Sequence, residues 1–306
     1  TIDDALNLRG VGDVTVSPSG QWIAYVVTER EVEPEDEEYR HDSNLWIVRA
    51  DGGEPTQLTH APSRDGSPRW APDGSWLAFL SDRDDTTQVY GIRPNGGGPW
   101  PVTESTTPIG SFRISPDGER LAFTASPEQS EEDEELEKRR GRPMVMDSAY
   151  ADEYVHLWVA PLDDRRAGEA ERSSPTDVHI QGFTWAPNSR SLAWGARPRP
   201  RLRAFREADV FIQDRPGATP RRVTELPGGE NTVDWVDGLG LLVSGSGHQV
   251  GAQNDEIWLV DPEGGSEPAS LTEELDHDVD YVGASPDQLL VGAPIRTGSG
   301  LYRVPL

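Results

Sequence analysis

The chain has 306 residues, enough to bury a large core, and no apolar run long enough to span a membrane. It holds 54 acidic against 28 basic residues, a net charge of −26, and no cysteine. That excludes disulfide frameworks and thiolate chemistry and argues against general nucleic-acid binding. Lys138 is the single lysine. A carboxylate-dense surface with almost no lysine matches the composition of halophilic proteins adapted to molar salt. There the Debye length falls to about 3 Å and self-repulsion is screened. The lack of cysteine and of a secretory apolar segment fits a reducing, cytoplasmic compartment, although the chain begins at Thr1 and a removed leader stays open.

In chain order, Asp3 and Asp4 stand ahead of Ala5, Leu6 and Leu8, which predicts one or two helical turns within residues 1–13. From Val14 a pattern sets in that recurs six times, and the stretch Ser67 to Glu104 shows it best. Ala71-Pro72-Asp73-Gly74 is turn chemistry: proline presets φ and glycine accepts the positive φ that closes the turn. Trp76-Leu77-Ala78-Phe79-Leu80 follows as a short apolar strand, then Val89-Tyr90-Gly91-Ile92, a Gly-rich turn, and the short strand Pro101-Val102-Thr103. The turn recurs as Ser17-Pro18-Ser19-Gly20, Ser115-Pro116-Asp117-Gly118 and Ala186-Pro187-Asn188-Ser189, and decays to Val236-Asp237-Gly238 and Ser285-Pro286-Asp287. The third strand recurs as Leu45-Trp46-Ile47-Val48, Leu157-Trp158-Val159, Val210-Phe211-Ile212, Ile257-Trp258-Leu259-Val260 and Leu301-Tyr302. Three elements repeating in one order separate this pattern from a β-sandwich with chance turns. The expected fold is all-β: a β-propeller of four-stranded antiparallel blades, six of them visible and part of a seven-bladed whole, in a single domain over residues 1–306.

Two inserts interrupt the pattern. Glu29 to Asp42, in the first repeat (Val14 to His60), carries a run of carboxylates that includes Glu31, Glu33, Glu35, Asp36, Glu37 and Glu38, and reads as a solvated loop. Ser126 to Tyr154, in the third, opens with a polar, helix-prone run, Glu128 to Arg140, acidic first and basic last as the helix dipole favours. The insert reads either as a surface excursion or as a lip over a central channel. The fourth repeat, Gln181 to Leu226, carries a basic run from Arg197 to Arg206 without aromatic interleaving, which suits pairing with acidic surface better than nucleic acid. The fifth spans Asn231 to Glu274. The sixth starts near Asp278 and reaches its third strand without a counterpart of Pro55–Leu58 or Ala269–Leu271, so the chain is expected to end in mid-blade.

Catalytic machinery is not visible. No Gly-x-Ser-x-Gly occurs; Gly264-Gly265-Ser266-Glu267-Pro268 and Gly283-Ala284-Ser285-Pro286-Asp287 lack the last glycine that a nucleophile elbow needs. The histidines, His41, His60, His156, His179, His248 and His277, show no zinc spacing. Asp276-His277-Asp278-Val279-Asp280 alternates carboxylates but lacks the glycine and distal glutamate of a calcium loop and reads as an inter-blade loop. The glycine clusters Gly245-Ser246-Gly247 and Gly96-Gly97-Gly98 lack dinucleotide-binding spacing. No cofactor, metal or catalytic residue is expected.

The repeated Ala/Ser-Pro-Asp-Gly-x-x-Leu-Ala-Phe, followed by Leu-Trp-Val and Asp-Gly-Gly-x-Pro-x-x-Leu-Thr, resembles TolB-like propellers with WD40-type repeats and the N-terminal propeller of the prolyl oligopeptidase family. The insert with Asp147 and Asp152-Glu153-Tyr154-Val155-His156-Leu157-Trp158 is most similar to the acylaminoacyl-peptidase and dipeptidyl-aminopeptidase branch. The resemblance implies a non-catalytic domain gating peptide access to a C-terminal α/β-hydrolase domain, expected beyond residue 306 and absent from this sequence. The expected partner is then a peptide substrate reached through that domain, with no nucleic acid or membrane; homo-oligomerisation stays open. In the dipeptidyl branch carboxylates hold free N-terminal amines, which implies substrate binding by Asp152 and Glu153. The alternatives are a free-standing TolB-like interaction scaffold and a propeller enzyme or lectin.

Overall fold

The computed structural model describes residues 9–32, 39–128, 154–200, 202–226, 228–247, 254–275, 277–295 and 298–306. The predicted helix over Glu128 to Arg140 lies outside them apart from its first residue, as do the first eight residues of the predicted N-terminal helix; Gly10 onward is strand.

The architecture is all-β, six successive antiparallel sheets that each run up and down in chain order. The first holds β1 (Gly10–Val16), β2 (Trp22–Val32), β3 (Tyr39–Arg49) and β4 (Thr56–Gln57); the second holds β5 (Asp65–Trp70), β6 (Leu77–Ser81), β7 (Gln88–Ile92) and β8 (Trp100–Pro101). The third contains β9 (Ile109–Ile114), β10 (Arg120–Ala125), β11 (His156–Asp163) and β12 (Arg166–Ala167), with β13 (Glu171–Arg172) also on β11. The fourth is β14 (His179–Trp185), β15 (Leu192–Arg197), β16 (Asp209–Gln213) and β17 (Arg221–Arg222), and a 3-10 helix, Leu202–Glu207, joins β15 to β16. The fifth is β18 (Glu230–Val236), β19 (Gly240–Gly245), β20 (Glu256–Val260) and β21 (Ala269–Ser270). The sixth has three strands, β22 (Asp280–Ser285), β23 (Gln288–Ile295) and β24 (Gly298–Pro305). This is the blade repeat of a β-propeller.

The turn between first and second strands forms as its residues predict. The amide of Gly74 donates to Ala71 O at 2.8 Å, that of Gly118 to Ser115 O at 2.8 Å and that of Gly20 to Ser17 O at 2.8 Å, all three glycines at positive φ. Ser189 takes the same left-handed conformation, φ 59°, without being glycine. After the turn, Ala24, Ala78, Ala122 and Ala193 occupy one register position and are fully buried. A methyl group there lets neighbouring sheets pack closely. All six pairings of first with second strand shift register once, between Gly12 and Thr15, Gly66 and Arg69, Thr124 and Ala125, Ile180 and Gly182, Thr232 and Asp234, and Tyr281 and Gly283. Each shift interrupts the ladder between first and second strand, though not at the same distance from the turn in every sheet.

The chain divides into two compact units, residues 1–128 with 159–170 and residues 129–158 with 171–306. In the first, Ala24, Val26, Leu45 and Ile47 of the first sheet pack on Leu77, Phe79, Tyr90 and Ile92 of the second. In the second, Ala193, Val210 and Ile212 pack on Leu241, Val243 and Val260, while Leu242 and Ile257 pack on Val279, Leu289, Val291 and Ala293.

The acidic insert of the first repeat departs from expectation. Glu29 to Val32 and Tyr39 to Asp42 are not loop: β2 and β3 stay paired from Thr28↔Ser43 to Val32↔Tyr39. The backbone register continues through Glu29↔Asp42 and Glu31↔Arg40 to Val32↔Tyr39, so the charge run sits on a paired ladder rather than in a loop.

Candidate functional site

Asp152 and Glu153, with Asp147 and most of the larger insert, lie outside the described residues. The structure shows what holds the chain directly after them. The Tyr154 hydroxyl donates to Pro198 O at 3.2 Å, and its ring stacks on His156 with centroids 6.2 Å apart and planes 6° from parallel. The Val155 amide donates to His179 Nδ1 at 3.2 Å, and the Ile180 amide donates to Val155 O at 2.9 Å. His156 is buried; burial, and secondarily the charge of Arg172, lowers its pKa, so at neutral pH the ring is an uncharged packing partner. These contacts tie residues 154–156 to the fourth sheet and start the regular strand at His156. The sequence marked this junction through the His-Leu-Trp run, but not its partners His179 and Pro198, which come from a different repeat.

Two buried ionisable groups elsewhere escaped the sequence reading. Asp65 is fully buried at the start of β5. It accepts hydrogen bonds from both Ser63 and Ser81 hydroxyls at 3.1 and 2.6 Å, and Arg83 Nη2 donates to its two oxygens at 2.8 and 2.9 Å. Arg83 also lies over the Tyr90 ring, 4.7 Å from its centroid. Tyr90 bonds Asp84, and burial first, then that carboxylate, pushes its pKa up to about 12. Each buried charge here is paired, which marks a structural clamp. Glu230, 3% exposed at the start of β18, differs. Its carboxyl accepts the Leu226 amide, but burial outweighs that bond and the nearby Arg222 charge, and its pKa rises to about 7. The basic run of the fourth repeat contains Arg197, whose pKa burial lowers.

The near-elbows resolve as turns. Ser285 ends β22 with its hydroxyl on Asp287 Oδ1 at 2.6 Å, and the Gly265 amide donates to Asp261 Oδ2 at 2.8 Å. Asp278 accepts the Asp255 amide at 2.9 Å, and burial, followed by Asp278 and Asp280, raises the Asp255 pKa. Among the described residues no group of three or more His, Asp or Glu side chains is arranged to hold a metal, and no helix is long and apolar enough to cross a membrane.

Comparison with known proteins agrees with this blade geometry. Residues 15–154 match the TolB beta propeller domain. A stretch of 91 residues is 40% identical to an uncharacterized peptidase, YuxL, of Bacillus subtilis; it spans 29% of this chain and 13% of that protein. In solved structures, the acylaminoacyl peptidase of Pyrococcus horikoshii superposes with a TM-score of 0.69 at 16% identity, over 97% of this chain and 45% of that one. The β-propeller domain of the trilobed protease from Pyrococcus furiosus superposes with a TM-score of 0.65 at 16% identity, over 96% of this chain and 80% of that one. This chain thus spans less than half of the acylaminoacyl peptidase and a small part of the peptidase YuxL. Residues 15–154 match the TolB beta propeller domain, and the β-propeller fold of the chain is similar to that of these solved peptidase structures.

Proposed function

We propose that this chain is the non-catalytic propeller of a serine peptidase of the acylaminoacyl- or dipeptidyl-aminopeptidase type, admitting peptides to a hydrolase domain outside residues 1–306. The observation that carries this reading is the likeness to the acylaminoacyl peptidase over 97% of this chain but 45% of that one. The absence of a nucleophile elbow from the sequence supports it. In this reading Asp152 and Glu153 hold the free amine of the substrate. The clamp on Tyr154, Val155 and His156 supports it by giving the following strand a fixed start. The match of residues 15–154 to the TolB domain favours a second reading, an interaction scaffold without a hydrolase partner.

The test uses a polypeptide joining this propeller to its hydrolase domain. This chain alone should turn over no acyl-peptide or aminoacyl-arylamide substrate. In the joined protein, Asp152→Asn and Glu153→Gln should each raise KM for free-amine peptides about tenfold or more, with little change for N-blocked ones, because only the charged amine loses an ion pair. Equal effects on both substrate types would return the two residues to the surface. A hydrolase domain that discriminates peptide length equally well without the propeller would remove the gating role and leave the scaffold.

A further inference from the structure

The start of β18 buries oxygens that the fold leaves without partners. Among the described residues, Glu230 Oε2 and Thr232 Oγ1 make no hydrogen bond, although the two residues are only 3% and 7% exposed. Asn231 Oδ1 between them is also unpartnered, packed where a Cβ on Gly182 or Gly195 would come within 2.6 and 2.8 Å of it. Side chains alternate along a strand, so Glu230 and Thr232 share a face that Asn231 does not. Their partners across the ladder are Gly245 and Val243. Val243 packs with Val210 and Ile212 of β16, which sets this face against the fourth sheet.

The surroundings hold Glu230 in place. Its amide donates to Ala208 O at 3.1 Å, and its Oε1 accepts the Leu226 amide. Gly245 leaves room for its stem, since a Cβ there would stand 3.5 Å from Glu230 Cγ. The two unpartnered oxygens are not bonded to each other, and residues two apart on a strand rise about 6–7 Å, a gap that one bridging atom can span. The charges acting on Glu230 are Asp209 of β16 and Arg222 of β17, and Arg222 is already shared by Asp209 and Glu225. β14 and β15 bring His179 and Arg197 to the same end of the sheet as Asp209. An ionised Glu230 lacks a donor at Oε2, and a protonated one lacks an acceptor there. A water would supply the donor but no charge, and three carboxylates would still share one guanidinium.

We propose that Glu230 Oε2 and Thr232 Oγ1 form a buried binding site for a monovalent alkali cation. The cation supplies the missing charge and takes a lone pair from each oxygen. A divalent ion such as calcium takes roughly six to eight oxygen ligands, several of them carboxylate. This face offers one carboxylate and one hydroxyl, which suits a singly charged ion. The site does not depend on the peptidase reading.

The test follows the Glu230 carboxyl by carbon-13 NMR in the 306-residue chain, its resonance assigned with Glu230→Gln. The titration is run at equal molar concentration in KCl, NaCl or tetramethylammonium chloride. These salts screen alike, but tetramethylammonium is too bulky for a buried site. A bound cation favours the ionised carboxyl. The midpoint in KCl, NaCl or both should therefore lie about one pH unit below that in tetramethylammonium chloride, an about tenfold change in proton affinity. Thr232→Val should lose that difference and Thr232→Ser should keep it. Equal midpoints in all three salts overturn the proposal and leave an ordered water as the bridge. That comparison uses the parent chain, so it decides the matter even where Thr232→Val does not fold. A salt-specific shift that survives Thr232→Val, or that is lost in Thr232→Ser, also overturns the proposal, because the hydroxyl is then not a ligand.

Discussion

At the scale of single residues, the protein handles buried charge in two ways. Asp65 meets Arg83 and two serine hydroxyls and so stays paired in the interior. Glu230 is just as buried but has no cation in contact, and its pKa rises from 4.5 to about 7. A carboxyl whose folded pKa lies above its unfolded value contributes stability that is fully present below pH 4.5. That stability is lost as pH rises toward 7, because the folded state must ionise in the interior. The shift corresponds to roughly 3 kcal/mol across the window. Glu230→Gln keeps an oxygen for the Leu226 amide and removes the titration. Its thermal midpoint should exceed that of the parent at pH 8, match it at pH 4.5, and vary less with pH between. Parallel pH profiles for the two proteins would show that Glu230 does not carry this dependence.

At the scale of strands and sheets, neighbouring blades approach closely enough that side-chain volume sets the limit. A Cβ placed on Gly195 of β15 would lie 2.8 Å from Asn231 Oδ1, 3.1 Å from Asn231 Cα and 3.3 Å from Glu230 O. Two of those three atoms are backbone of β18 and cannot swing aside as a side-chain tip can. Gly195→Ala is therefore expected to cost about 1–3 kcal/mol through overpacking, seen as a lower urea midpoint with an unchanged slope. A midpoint equal to the parent's would mean that β18 yields freely. Gly98, with nothing within 4 Å, is the control position where the same substitution should be close to neutral.

At the scale of the whole molecule, charge dominates. With 54 acidic and 28 basic residues, the chain carries a net charge of −26. The exposed ion pairs among the described residues, Arg9–Glu29, Arg49–Asp51, Arg64–Asp82 and Arg222 with Asp209 and Glu225, are too solvated to offset it. The melting temperature should rise on the order of 10 °C between low salt and molar KCl, which for a chain of this length is a gain of a few kcal/mol from screening. A flat melting curve across that range would show that the acidity is unrelated to salt adaptation. Sodium sulfate at equal ionic strength separates screening from general strengthening of apolar burial.

The sequence by itself determined the blade repeat, its turns, the order of strands within each sheet and the lack of a nucleophile elbow. These depend on residues near one another in the chain: proline and glycine dictate the turn at Ala71–Gly74, and an apolar run of four or five residues dictates the strand after it. It also displayed Leu58-Thr59, Val102-Thr103, Val223-Thr224 and Leu271-Thr272, though not that their hydroxyls cap the third strand. Tertiary structure alone decided the rest, because burial and pairing depend on residues distant in sequence. It kept Glu29 and Glu31 in the ladder that pairs β2 with β3 as far as Val32↔Tyr39. It buried Glu230 among more than fifty carboxylate-bearing residues whose sequence contexts look alike.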